Sequence, residues 1–261
     1  MMTDKTNANK STQDLPDPLT RVALSDTELN DTKLNDTKLN DTKLNDTKLD
    51  SIDGLDQYLK ATAGSRQGRD IPPLEKWHPE QVADMNLVIK ANGEWWHEGG
   101  LIGRESLVHL FATILWKEDN DGVIEYFLKT PVQKLRISVE DVPLLINDVG
   151  IVTENAISWL EFTTTTGDVV RLDDAHPITL RAYQPNKSTA LNQINNEEVK
   201  ESLTEPQVRP YMPVRNGLEA LIGRNAFYHL TEIGELTEQN GIAILTLTSG
   251  DKSYQISMPD S

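Results

Sequence analysis

The sequence predicts an α+β protein whose folded body follows a disordered N-terminal tail of repeats. Three observations support this prediction. Apolar and polar residues alternate from Met85 onward, as they do in half-buried strands. Residues 104–116 carry the apolar spacing of an amphipathic helix. Before Ile52, by contrast, apolar residues recur at an interval that gives neither element a continuous apolar face.

The tail is defined by a short repeat. From Asp26 to Asp50 the chain reads DTELN, then DTKLN three times, then DTKLD. The leucines therefore recur every five residues. This period places successive leucines on different sides of a helix and on alternate faces of a strand, so neither element can bury them together. Residues 1–51 are therefore predicted to be disordered. The alternative is one short coil of a pentapeptide-repeat β-helix, a class of solenoid that needs several stacked units.

The body is predicted to start with a short helix. Ile52, Leu55, Tyr58 and Leu59 share one helical face, and a polar linker follows at 61–70.

A hairpin and a longer helix come next. A strand with Met85, Leu87 and Ile89 on one face leads into Asn92-Gly93, the pair preferred by type I′ turns, and then into a return strand. The helix at 104–116 follows this hairpin, and most of the remaining chain has the alternation of strands.

The C-terminal half is predicted to contain a mobile polar insertion at 185–208, because few apolar residues occur there. Beyond it we expect a short helix over GLEALI (217–222), a strand over 226–237 and a hairpin around Ser249-Gly250-Asp251. The stretches LIGRESLVHLF (101–111) and LIGRNAFYHLT (221–231) resemble each other. Since the first predicts a helix and the second a strand, we interpret the match as coincidence; reuse of one turn is the alternative.

Composition excludes several classes of function. The chain has 261 residues, a formal net charge of −16 and no cysteine. An acidic protein repels phosphate backbones, so no nucleic-acid or anionic-membrane partner is expected. Without cysteine there are no disulfides, thiolate metal sites or cysteine nucleophiles. No segment has the run of apolar residues that spans a bilayer, and the N-terminus lacks a signal peptide, so we expect a cytoplasmic protein.

Motifs for known chemistries are missing. The histidines at 78, 97, 109, 176 and 229 have no metal-ligand spacing, so no metal site and no cofactor are predicted. There is no nucleophile elbow, P-loop or dinucleotide fingerprint. Glu140, Asp141 and His176 are the candidate acids and bases. The structural alternative is that these acids anchor turns.

An anion pocket is the main candidate site. Arg104 precedes the amphipathic helix, and Arg215 and Arg224 flank GLEALI. If the three guanidinium groups converge, they could hold a carboxylate or a phosphate. The alternative is that each arginine pairs with one of the many acidic side chains.

A tryptophan-lined surface is a second candidate. Trp95 and Trp96 are neighbours on a strand, so one should face the core and the other should face outward. The outward one, expected to be Trp96, could form a contact patch with Trp77. Packing of both in the core is the alternative.

Several stretches of the body together resemble the bacterial domain-of-unknown-function family DUF1285. The resemblance is carried by PPLEKWHP, DMNLVI, GEWWHEGGLIGRESLVHLF, TPVQKLRISVEDVP, FTTTTGD, HP and YMPVRNGLEALIGR, at 72–79, 84–89, 93–111, 130–143, 162–168, 176–177 and 211–224. It implies two small sheet-rich subdomains, an α/β roll at 52–130 and a β roll at 131–261. It implies no activity and no catalytic residues.

These observations favour a non-catalytic module that binds a small anion or a protein partner. One alternative is a small enzyme in which Arg104, Arg215 or Arg224 holds an anionic metabolite while Glu140, Asp141 or His176 transfers a proton. Another is a structural homodimer formed through an exposed sheet edge.

Overall fold

The computed structural model describes residues 51–63, 71–183 and 207–258, and the side chains of 61–63 and 258 are not described. These residues all belong to one compact unit, Thr47–Ser261. The predicted repeat tail lies outside the described residues, apart from its last position, Ser51. The predicted insertion also lies outside them, except that Gln207 and Val208 begin a strand.

A six-stranded sheet forms the first part of the body. Its strands are β1 (Gln81–Ile89), β2 (Trp95–His97), β3 (Gly100–Leu101), β4 (Leu115–Asn120), β5 (Val123–Lys129) and β6 (Gln133–Val139). The spatial order is β3-β2-β1-β6-β5-β4. Only β1 and β6 pair in parallel. With β6 as a member, this sheet extends along the chain to Val139.

Two helices accompany this sheet. Helix α1 (Ile52–Ala63) contacts α2 (Glu105–Thr113), which connects β3 to β4. The predicted face of α1 is confirmed, since Leu55, Tyr58 and Leu59 are buried. A single 3-10 turn, Leu74–Lys76, lies between α1 and β1.

A second six-stranded sheet follows. Its strands are β7 (Leu144–Glu154), β8 (Ile157–Thr164), β9 (Val169–Arg171), β10 (Thr179–Tyr183), β11 (Gln207–Arg215) and β12 (Leu218–Ile222). Their order is β10-β11-β12-β7-β8-β9, with β12 parallel to β7. Helix α3 (Arg224–Ile233) then leads into an antiparallel sheet of β13 (Glu235–Gln239), β14 (Ile242–Ser249) and β15 (Lys252–Met258). The predicted α+β class is confirmed.

Two neighbouring predictions in the C-terminal half were wrong, because a strand forms where a helix was predicted and a helix forms where a strand was predicted. GLEALI was predicted to be a helix, but Leu218, Ala220 and Ile222 are buried with more exposed residues between them, which is the period of a strand. The segment predicted to be a strand forms α3, in which Ala226 and Leu230 are buried at helical spacing. The short apolar runs were ambiguous, and pairing with β7 and β11 decided their conformation.

The stretches 101–111 and 221–231 therefore resemble each other in structure as well, and the premise of the coincidence interpretation, that the second stretch is a strand, was wrong. In both places LIGR lies between a strand and a helix. After each helix, α2 and α3, the chain forms three antiparallel strands joined by tight turns, β4-β5-β6 and β13-β14-β15.

The turn at Asn92-Gly93 differs from the predicted type I′ turn. Such a turn requires positive φ at both central residues. Here Gly93 has φ +86°, but Asn92 is not among the residues with positive φ. Hydrogen bonds from Gly93 N to Lys90 O (2.9 Å) and from Lys90 N to Glu94 O (2.8 Å) instead close a longer loop. A Cβ on Gly93 would lie 2.8 Å from Cδ2 of Leu145, so this loop packs closely on β7.

Candidate functional site

A cavity of about 500 Å³ lies at one edge of the second sheet. It is bounded by β10, β11 and β12, by the first turn of α3 and by Ala91 and Asn92 in the loop after β1. The apolar lining consists of Leu180, Val208, Pro210, Leu221, Ile222 and Phe227. Arg209 and Arg224 supply its two positive charges. An apolar cavity with a few polar groups is the usual form of a small-molecule site.

Arg224 is placed at this cavity by the glycine before it. Gly223 N donates to Ile146 O on β7 (2.8 Å), and a Cβ at residue 223 would lie 2.9 Å from that oxygen. Only glycine allows this close approach, which fixes the start of α3 against the sheet. The Arg224 side chain is exposed, and its Nε and Nη2 donate to the hydroxyl of Tyr228 at 3.4 and 3.1 Å.

Arg224 differs from the other described arginines in its pairing. Each of the others forms an ion pair with a carboxylate, namely Arg104, Arg136, Arg171, Arg181, Arg209 and Arg215. Within residues 51–63, 71–183 and 207–258, Arg224 alone among the arginines has no carboxylate partner. Its charge is therefore not offset by a neighbouring acid, in a protein whose net charge is −16.

Arg209 is held by a fixed network. Its Nη1 donates to Asp141 Oδ2 at 3.0 Å, its Nη2 donates to Gln207 Oε1 at 2.9 Å, and its guanidinium carbon lies 3.7 Å from the centre of the Tyr183 ring. The hydroxyl of Tyr211 donates to both oxygens of Asp141. Burial, followed by the interaction with Asp141, raises the pKa of Tyr211 above its usual range, so the phenol keeps its proton.

The other candidate acids and bases lie in separate contacts. Asp141 is mostly buried and holds Tyr211 and Arg209. Glu140 accepts from Lys90 Nζ (2.7 Å) and from Ala91 N (3.1 Å), which fixes the loop after β1. His176 Nδ1 lies 2.8 Å from Asp173 Oδ1 in the connection between β9 and β10.

The three arginines of the predicted anion pocket, Arg104, Arg215 and Arg224, have different partners from one another. Arg104 Nη2 lies 3.4 Å from Asp56 Oδ2 on α1. Arg215 Nε donates to Asp168 Oδ1 (2.8 Å) and its Nη2 donates to Ala112 O (2.5 Å), which ties β11 to α2. Arg224 alone of the three lines the cavity.

Arg215 is mostly buried, with 13% of its side chain exposed, and Asp168 is 4% exposed. The hydroxyls of Thr164 and Thr166 also hydrogen-bond with this carboxylate. Among the described atoms Nη1 of Arg215 is buried without a hydrogen-bond partner. The FTTTTGD stretch thus forms a buried polar network around Arg215, which favours a structural role for this residue.

The tryptophans follow the predicted alternation. Trp95 is buried, while Trp96 is half-buried and its indole Nε1 donates to Glu94 Oε2 at 3.0 Å. This hydrogen bond lowers the pKa of Glu94. Trp77 is also half-buried, directly after the 3-10 turn. A shared contact patch of Trp77 and Trp96 stays a prediction.

Sequence reasoning did not identify Arg209 or the apolar lining of the cavity. Val208 was assigned to the insertion, and the VRPYMPV stretch has no regular alternation that would have marked it as a strand. The contact between β10 and β11 crosses the insertion, so no local pattern could place Leu180 beside Pro210, its partner across the strands.

In the described ranges, no group of three histidine, cysteine, aspartate or glutamate side chains could hold a metal ion. Across the described part of the chain, no helix is long and apolar enough to cross a bilayer.

Two family models match the chain. Residues 72–142 match "Domain of unknown function (DUF1285), N-terminal domain". Residues 143–256 match "Protein of unknown function (DUF1285), C-terminal domain". The border between the two matches follows β6, which agrees with the extent of the first sheet. Among curated proteins, none matches the chain.

Two solved structures are similar. A DUF1285 family protein from Silicibacter pomeroyi DSS-3 is 31% identical, with 76% of this chain and 94% of that chain covered and a TM-score of 0.54. A DUF1285 family protein from Shewanella baltica OS155 is 26% identical, with 56% of this chain and 91% of that chain covered and a TM-score of 0.37.

Proposed function

We propose that this chain, which belongs to the DUF1285 family, is a non-catalytic binding module for a small organic anion with an apolar body. The observation that carries the proposal is Arg224, which stands at an apolar cavity with no carboxylate partner among the described residues. In an acidic protein, an arginine left unpaired beside a cavity is available to a ligand carboxylate or phosphate.

The lining of the cavity favours an anion with an apolar body over a fully hydrophilic one. Side chains such as Leu180, Pro210 and Phe227 offer no hydrogen bonds and gain from removing apolar ligand surface from water. Val208 is 46% exposed on this surface, although it is apolar. A ligand with an aliphatic or aromatic body would cover it while its acidic end reaches Arg224.

Binding is favoured over catalysis because the described lining holds no acid or base that could transfer a proton. It contains no aspartate, glutamate, histidine, serine or lysine. The candidate acids and bases already have hydrogen-bond partners. Glu140 binds the loop after β1, Asp141 binds Tyr211 and Arg209, and His176 binds Asp173. The alternative of a small enzyme therefore has no observation in its favour.

The proposal is tested by calorimetric titration of the full chain with decanoate and, in parallel, with 1-decanol. Decanoate should bind, and Arg224→Gln should weaken it by about 10-fold or more, since hydrogen bonds to charged groups contribute roughly 1.5–3 kcal/mol. The variant should leave the affinity for 1-decanol unchanged, because the alcohol carries no charge that Arg224 could bind.

Two further variants complete the test. Val208→Asp places a negative charge on the exposed apolar lining and should abolish decanoate binding without loss of folding. Arg136→Gln is the matched control, because Arg136 is an exposed arginine on the first sheet that pairs with Asp84 and Glu125. Equal affinity of wild type and Arg224→Gln for decanoate, or no decanoate binding by wild type, would refute the proposal.

A further inference from the structure

A second cavity, of about 300 Å³, lies where the second sheet meets the three-stranded sheet. Its lining includes Trp159 from β8, Asp173 and Asp174 from the connection between β9 and β10, and Lys252 and Tyr254 from β15. None of these residues lines the cavity beside α3. The two cavities therefore have separate linings of different chemistry.

The walls of the second cavity are fixed by buried contacts. Ser249 Oγ donates to Leu172 O (2.8 Å) and accepts from Leu160 N (3.0 Å), so the turn between β14 and β15 is attached to the second sheet. Gly250 N donates to Ser158 O at 2.9 Å. Ser249 is completely buried, which makes this attachment part of the core.

Gly250 sets the position of the aromatic wall. A Cβ at this residue would lie 2.2 Å from Cζ3 of Trp159, so the indole ring occupies the space that any other side chain would need. Gly250 also has φ +60°, a conformation that glycine adopts without strain. Trp159 remains half-buried, and its ring can offer an apolar surface to a ligand in the cavity.

The polar wall offers both acceptors and donors. Asp174 pairs with the ammonium group of Lys252 and accepts from the hydroxyl of Tyr254 at 3.3 Å. Asp173 accepts from His176 N, His176 Nδ1 and Ala175 N with the same oxygen, Oδ1. Its second oxygen, Oδ2, has no hydrogen-bond partner among the described residues.

The charges of the lining select against anionic ligands. Two carboxylates, Asp173 and Asp174, repel an anion. A cationic group is not selected against in this way, because Lys252 offsets only one of the two carboxylates and the lining keeps a net charge of −1. A purely apolar ligand would remove Asp173 Oδ2 and the Asp174–Lys252 pair from water without offering them any new hydrogen bond.

We propose that this second cavity binds a polyhydroxylated ligand without an anionic group, such as a neutral sugar ring. The apolar C–H face of the ring packs on Trp159, and its hydroxyls donate to Asp173 Oδ2 and Asp174 and accept from Lys252. The site is a binding site only, and it is independent of the anion site beside α3.

Ligand-observed saturation-transfer NMR on the full chain tests the proposal with D-glucose, D-galactose and N-acetyl-D-glucosamine as neutral probes. Glucuronate and glucosamine serve as the matched anionic and cationic probes. At least one neutral sugar should bind in the millimolar range. Glucuronate should bind more weakly than glucose, and glucosamine should bind no more weakly than glucose, because the lining carries a net negative charge.

Four variants locate the binding. Trp159→Ala and Lys252→Gln should each lower the affinity for the neutral sugar by about 10-fold. Lys252→Arg, which keeps the charge and the hydrogen-bond donors, should retain most of that affinity. Lys252 is 59% exposed, so its variants should fold even if Trp159→Ala does not. Arg224→Gln should leave sugar binding unchanged, which separates this result from the anion site.

The proposal is overturned by any of four results, three of which concern the second cavity itself. The first is that no neutral sugar binds at millimolar concentration. The second is that glucuronate binds as tightly as glucose. The third is that sugar binding is unaffected by Lys252→Gln. Loss of sugar binding in Arg224→Gln would also contradict it, because the sugar would then occupy the other cavity.

Discussion

At the scale of residues, the partners of the arginines decide what each one does. Arg215 and Arg224 flank the same short strand, β12, yet one is buried against Asp168 and the other faces a cavity. A buried guanidinium requires a paired acid, because its desolvation is otherwise uncompensated. Arg224 is exposed and can remain without one. This difference in burial separates a structural arginine from a candidate ligand-binding one.

The Arg215–Asp168 pair gives the first prediction. Asp168→Ala should lower the free energy of unfolding by about 3–5 kcal/mol, because it leaves the mostly buried charge of Arg215 unpaired. The double variant Asp168→Leu with Arg215→Met should recover much of that loss. Equilibrium urea unfolding measures both. Arg136→Gln, which breaks exposed ion pairs, should cost no more than about 1 kcal/mol. An equal loss of unfolding free energy in Asp168→Ala and Arg136→Gln would contradict the structural role of the Arg215–Asp168 pair.

The acidic residues beside the second cavity give a prediction about pH. Burial alone would raise the pKa of Asp173, but hydrogen bonds from His176 and Ala175 lower it below the reference value of 3.8. The contact with Lys252 lowers the pKa of Asp174. Both pKa values are lower in the folded state than in the unfolded state. The two carboxylates therefore stabilise the fold fully at a pH above their pKa in the unfolded chain, and this stabilisation is lost as the pH falls through their pKa values in the folded protein.

The free energy of unfolding should therefore be insensitive to these groups near neutral pH and should fall below about pH 4. Urea unfolding between neutral pH and pH 3 measures this dependence. In Asp173→Asn the decline on acidification should be shallower than in wild type. A steeper decline in that variant would contradict the assignment.

At the scale of elements, local patterns were sufficient where one face is clearly buried. Helix α2 and strand β1 were predicted correctly, because Leu107 and Phe111 repeat at helical spacing and Met85, Leu87 and Ile89 alternate. The helix ends at Thr113 rather than Trp116, since Leu115 pairs with Leu128 across the sheet. Patterns failed at 217–233, where the runs are short and tertiary pairing decided the conformation.

Helix α1 gives a prediction at this scale. Leu55 is completely buried and α1 contacts α2, so Leu55→Ala should destabilise the body by about 2–5 kcal/mol. Deletion of residues 1–46, which precede the compact unit, should leave the melting temperature unchanged. Thermal unfolding followed by circular dichroism measures both. A lower melting temperature after the deletion would contradict the prediction that the repeat tail is disordered.

At the scale of the whole molecule, the α+β class and the sheet-rich halves followed from the sequence, but the site did not. The cavity beside α3 combines residues from the loop after β1, from strands on both sides of the insertion and from α3. Such long-range juxtapositions have no local signal in one sequence. Of its charged residues, Arg224 was a candidate because it stands between a predicted helix and a predicted strand, whereas Arg209 carried no such signal.

Crystallisation of the full chain with a bromine-tagged fatty acid, 10-bromodecanoate, is the sharpest test of anion binding beside α3. We expect an anomalous bromine peak among Leu180, Val208 and Phe227, with the ligand carboxylate within hydrogen-bond distance of the Arg224 guanidinium. A ligand bound elsewhere on the protein, or one whose carboxylate points away from Arg224, would refute this mode of binding.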